Sequence, residues 1–175
     1  MHKAESLRGQ DVLVACKLFS AMVGKADWSF PSLSVELDVS VGEIYNSVGR
    51  CRRAQLLVQG DRVSRPHLRE LLVSAVPRIF YATRGAMGIG VPTSRWAPPV
   101  SKLFVPQPSV APLVWPGAGE TRGELVSPVY PTVPQAALRD NVVYELLALV
   151  DVVRVGEAAD KKAAAELIER RVFGR

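Results

Sequence analysis

Residues 40–69 concentrate the side chains that could read a nucleic acid. Ser40 and Glu43 form an S-x-x-E capping box, which opens a helix sharply. Along that helix Ile44, Val48 and Cys51 recur at helical spacing and make one inward stripe. Gly42, Tyr45, Asn46, Gly49, Arg50 and Arg53 are left to face outward. Asparagine pairs bidentately with adenine and arginine with guanine, so Tyr45, Asn46 and Arg50 are the candidate readers of base edges. Gly42 and Gly49 each cost a helix about 1 kcal/mol and permit close backbone approach, which suits a contact face better than a structural one. Arg52 and Arg53, then Arg62 and Arg65, suit phosphates. Ser40, as N-cap, stands where a helix terminus can meet a phosphate.

Positioning these groups needs a frame. Residues 10–23 repeat apolar side chains at Val12, Cys16, Phe19 and Val23, an amphipathic helix ended by Gly24 and Asp27. A second, short helix is expected from residue 31 to 37, with Pro31 tolerated in its first turn. Asp38 takes the turn position where glycine is common, and aspartate can visit the left-handed region at modest cost. The third helix spans 41–54. Leu56, Leu57 and Val58 then form a β-prone run, Gly60-Asp61 a turn, and residues 62–65 a basic return strand. Residues 67–76 read as a fourth helix stopped by Pro77.

Charge supports the same region. Of a net +5, six arginines between positions 50 and 69 face Asp61 alone, and the remainder holds sixteen basic and sixteen acidic residues. A local basic excess on a balanced chain implies a polyanion bound at one place. The chain has 175 residues, 48% of them hydrophobic, enough for a real core. It has no run of about 18 apolar residues and no apolar signal core near its start, so a cytoplasmic protein is expected. Cys16 and Cys51 fall on apolar stripes and read as buried reduced thiols. His2 and His67 lack ligand or triad partners in sequence, so no catalytic residue, metal or cofactor is expected.

After Pro77 the composition changes. Eleven of the thirteen prolines lie between 77 and 134, and residues 71–119 contain no acid. Aromatics among them (Phe80, Tyr81, Trp96, Phe104, Trp115) imply an extended segment that packs on something, with a loose linker as the plainer alternative. Residues 79–82 and 103–105 are the candidate strands, and 83–92, with Gly85, Gly88 and Gly90, a turn. From Pro134 a helix with a broad apolar face runs to residue 155, its start signalled by Pro134 or Asp140; a last helix covers 157–172. The expected organisation is mainly α with a small β wing: a winged helix-turn-helix over 1–76, a Pro/aromatic-rich extended segment over 77–133, and C-terminal helices over 134–175 that pack back or dimerise.

With these elements in place, residues 10–70 resemble the MarR-like winged-helix transcriptional regulators of bacteria. The remainder is similar to a less characterised bacterial winged-helix set with a "vPTs…aPP" stretch and a "YELLALVD" helix, here Val91-Pro92-Thr93-Ser94, Ala97-Pro98-Pro99 and residues 144–151. The resemblance implies a homodimer on a pseudopalindromic operator, with helix 41–54 in the major groove. Asp38 in place of glycine and the short wing depart from the family pattern. The expected function is a sequence-specific DNA-binding transcriptional regulator of repressor type, its partner double-stranded DNA and its contact set Ser40, Gly42, Tyr45, Asn46, Arg50, Arg52, Arg53, Arg62 and Arg65. The alternative is a protein-interaction module, such as an antitoxin-like or defence-associated partner, that wraps a second protein with residues 78–134.

Overall fold

The computed structural model describes residues 5–174; His2 lies outside them. The protein is mainly α, about 58% helical, with a small sheet. Helix α1 (Gly9–Gly24) is the central rod. Val12 to Cys16, Leu18 and Phe19 are all buried on it, because α3 covers one side and α7 another. Lys25, left-handed at φ 53°, ends it. Helix α2 (Phe30–Leu37) starts on a serine pair: the Ser32 N–H donates to Ser29 Oγ at 3.1 Å, and the Ser29 N–H to Ser32 Oγ at 2.8 Å. Asp38 adopts φ 53°, ψ 49°, the left-handed turn expected of it, and the chain re-enters helix as α3 (Val41–Arg53), with Ala54 as its C-cap. A two-stranded hairpin follows. In it β1 (Leu57–Val58) pairs antiparallel with β2 (Arg62–Val63) across Gly60 and Asp61, both at positive φ.

Pro77 does not stop the fourth helix. Helix α4 (Arg65–Glu70) passes into a π turn (Leu71–Ala75) and on through α5 (Val76–Ile79). In the wide turn the Val76 N–H reaches back to the Leu71 carbonyl. The looser winding accommodates a proline that has no N–H to donate.

Within the proline-rich middle the chain forms a small three-stranded sheet. Strand β3 (Arg84–Pro92) pairs antiparallel with both β4 (Leu113–Pro116) and β5 (Thr121–Val126); β4 and β5 run parallel, so the three close on one another. The glycine-rich stretch expected to turn is therefore its longest strand. The two segments expected as strands are not: Ile79 ends α5, and Ser101–Leu103 is a 3-10 turn. The glycines explain the difference. A Cβ at Gly90 would stand 1.8 Å from the Trp115 carbonyl oxygen, and one at Gly123 2.3 Å from that of Pro112. Three strands can close this tightly only where side chains are missing. Pro92 and Pro116 sit at strand ends, where an absent N–H costs least.

The C-terminal helical run divides at Asp140 into α6 (Val133–Arg139) and α7 (Asn141–Val155), and α8 (Ala158–Phe173) follows. These helices fold back, α7 onto α1 and α8 onto α4. One hydrophobic core draws on Leu13, Ile44, Leu72, Trp115, Leu147 and Ile168, hence on all three stretches of the chain. No helix among the described residues is long and apolar enough to cross a membrane.

Asp140 joins the two ends. It caps α7 by accepting the Val142 and Val143 N–H groups, and it accepts from Lys17 Nζ at 2.8 Å and Ser20 Oγ at 2.9 Å on α1. Burial works to raise its pKa, but Lys17, Ser20 and the Val143 N–H outweigh burial and hold it below 3.8. A carboxylate with a depressed folded pKa adds stability above its unfolded pKa and loses it as pH falls through the folded value. Asp140→Asn, which still caps a helix, is expected to lower the urea midpoint at neutral pH and to converge on the wild type as the pH falls through the depressed folded pKa of Asp140.

Candidate nucleic-acid interface

The capped start of α3 is present in part. Ser40 Oγ accepts the Glu43 N–H at 3.3 Å, while the Glu43 carboxylate accepts from Asn46 Nδ2 at 3.4 Å. Ile44, Ser47, Val48 and Cys51 turn inward. Gly42, Tyr45, Asn46, Arg52 and Arg53 are exposed, and Gly49 is half-buried. Tyr45, Asn46, Gly49, Arg52 and Arg53 line a depression of about 330 Å³ on this outward face. Unlike the sheet glycines, these two answer to no packing need: a Cβ at Gly42 meets nothing within 4 Å, and one at Gly49 only the Arg53 guanidinium at 3.5 Å. Gly42→Ala and Gly49→Ala should each raise stability in denaturant by about 0.5–1 kcal/mol.

Arg50 does not belong to the outward face. It is 5% exposed, and its Nε and Nη2 donate to the two carboxylate oxygens of Asp11, each at 2.8 Å. Asp11, wholly buried near the start of α1, also accepts from Ser47 Oγ and the Arg8 N–H. At about 100° per residue, Arg50 stands only about 60° around α3 from inward-facing Ser47, close enough for its long side chain to reach α1. The signal in the sequence was Asp11 itself, an acid inside an apolar helix that has to find a cation.

Arg65 is corrected in the same way. It is the first residue of α4, not part of the hairpin. Its guanidinium donates to the Val172 carbonyl of α8 and lies 5.6 Å from the centre of the Phe19 ring. Arg69 pairs with Glu169, Arg53 with Glu5 at 2.7 Å, and Arg52 bidentately with Asp61 at 2.7 Å. The arginine excess of residues 50–69 is thus largely met by carboxylates brought in from the two ends of the chain. What the outer face of α3 and the hairpin keeps is Arg52, Arg53 and Arg62. The first two are held in surface pairs of the kind worth about 0–1 kcal/mol and readily exchanged for another anion.

Cys16 and Cys51 are buried free thiols, and burial pushes Cys51 up to about 12. Among the described residues no cluster of His, Cys, Asp and Glu is placed to hold a metal ion. Comparison with protein-family models, curated proteins and solved structures gives no match to this chain.

Proposed function

We propose that the chain is a DNA-binding transcriptional regulator, repressor-like, that docks α3 in the major groove with Arg62 of the hairpin on the backbone. The observation that carries this reading is the outward face of α3. Tyr45 and Asn46 stand there between two glycines that packing does not require. The order α1, α2, tight turn, α3, hairpin supports a winged helix-turn-helix with an abbreviated wing. Asn46 is the candidate adenine reader, with Arg52 and Arg53 on phosphates. A homodimer would place two such helices about 34 Å apart.

The test is binding of the full chain to DNA from upstream of its own gene and to random duplex at several salt concentrations. Each phosphate contact adds about −0.9 to the slope of log affinity against log salt, so three arginines predict roughly −3 per protomer. Arg62→Ala should weaken all sequences alike and make the slope shallower by about 1. Equal affinity for random duplex would sink sequence-specific reading.

A second reading, the protein-interaction module, is favoured by exposed apolar side chains at Ile79, Tyr81, Leu103, Val105 and Val110. Co-expression with the products of adjoining genes tests it; a chain that elutes alone counts against it.

A further inference from the structure

We propose that Tyr45 is a reader of thymine methyl groups, a role that rests on the DNA-binding reading above and assigns α3 a site rich in A·T pairs. Tyr45 is 61% exposed, yet its ring is held. Phe30, at the start of α2, packs against it with ring centres 5.5 Å apart, and Trp28 packs edge-on against Phe30 at 5.7 Å. Trp28 and Phe30 are themselves half-buried against the core, so the three rings form a strut that ends in solvent.

A long, exposed aromatic ordinarily swings between rotamers. This one is braced by a neighbouring helix, so its apolar face stands ready at little further entropy cost. On the major-groove edge of DNA, the one apolar group that distinguishes a base is the 5-methyl of thymine. Beside the ring, the Glu43 carboxylate accepts one Asn46 amide hydrogen. The Oδ1 and the second hydrogen are left to meet adenine N6 and N7. Adjacent side chains on one helix then address the two partners of A·T pairs. The bare backbone at Gly42 and Gly49 lets the base edges come close on either side. The rim is cationic, with Arg52 and Arg53 along the helix and Arg62 on β2, which matches phosphates flanking such a step.

Trp28 and Phe30 are positioning residues in this scheme, and Tyr45 is the contact. The experiment is selection of bound duplexes from a randomised library by the full chain. The enriched duplexes are then resynthesised with uracil for thymine, which removes the methyl and nothing else. Wild-type protein should bind each uracil duplex about four-fold more weakly per contacted thymine, the worth of one buried methyl. Tyr45→Phe should keep that discrimination, and Tyr45→Ala should bind both duplexes alike. Equal binding of thymine and uracil duplexes by the wild type overturns the proposal and leaves DNA reading intact. Absence of any enriched sequence overturns the DNA reading, and this proposal with it.

Discussion

Arg50→Ala is expected to destabilise the protein by about 3–5 kcal/mol, the cost of leaving one member of a buried ion pair without its partner. Arg52→Ala and Arg53→Ala should each cost less than about 1 kcal/mol. All three arginines lie within four residues on one helix. They differ in what surrounds them. Removing the Arg50 guanidinium strands the Asp11 carboxylate, which has no exposed surface, with only Ser47 Oγ and the Arg8 N–H to solvate it. Asp61 and Glu5, left behind by the other two, still face water.

Urea denaturation of the three variants side by side measures the contrast. The double replacement Asp11→Leu with Arg50→Met should be milder than either single change, because no charge is then buried alone. A loss below about 1 kcal/mol in Arg50→Ala would show that water reaches Asp11 and that the pair does not hold α3 against α1. The prediction also bears on function. Loss of DNA binding in this variant would report the setting of α3 on α1 and not the loss of a base contact, so binding has to be compared where the variant is still folded.

The contrast between Arg50 and its neighbours shows which parts of this chain its sequence could disclose. The first three helices, the left-handed Asp38 and the Gly60-Asp61 turn were legible because each follows from residues within one or two turns of one another. So did the inward stripe of Ile44, Val48 and Cys51. The fate of Arg50, Arg65 and Arg69 depends on Asp11, Val172 and Glu169, partners 39 to 107 residues away. A charge count taken along the chain cannot see them.

The sheet was illegible for a related reason. Gly88 and Gly90 look like turn residues when read locally. They are strand residues only because Leu125 and Trp115 approach from the far side. Proline content pointed the same wrong way, because prolines at strand ends and in linkers look alike in composition. The aromatic content of that region was the better guide: Trp115 and Phe104 are buried, and the segment does pack onto something, namely α7 of its own chain.

That attachment leads to the second large effect. Asp151→Ala is expected to cost about 3–5 kcal/mol and to loosen the sheet from α7 before the rest unfolds. Asp151 is 1% exposed in the middle of the core. It accepts from Thr93 Oγ1 at 2.8 Å, from Trp115 Nε1 at 2.5 Å and from Arg154 at 2.6 Å. Burial pushes its carboxyl above the ordinary carboxylate range, against the opposing pull of Arg154, Thr93 and Trp115. Arg154 is equally buried and donates onward to the carbonyls of Phe80 at 2.7 Å and Ser127 at 3.1 Å, the segments that enter and leave the sheet. One carboxylate therefore orients both the end of β3 and the middle of β4 on α7 and neutralises the cation that fastens the flanking chain. Its removal leaves a buried guanidinium without its counter-charge, and an indole N–H and a hydroxyl without acceptors. Asp151→Asn keeps the shape and an acceptor but not the charge, and should fall between wild type and Asp151→Ala. Tryptophan fluorescence, to which Trp96 and Trp115 of this region contribute beside Trp28, should begin its red shift at lower urea than the far-ultraviolet helix signal in Asp151→Ala, with early tryptic cleavage after Arg84 or Arg122. Coincident loss of both signals would mean that the sheet and the helices form one cooperative unit, held by the apolar packing of Val91, Val114 and Trp115 more than by this network.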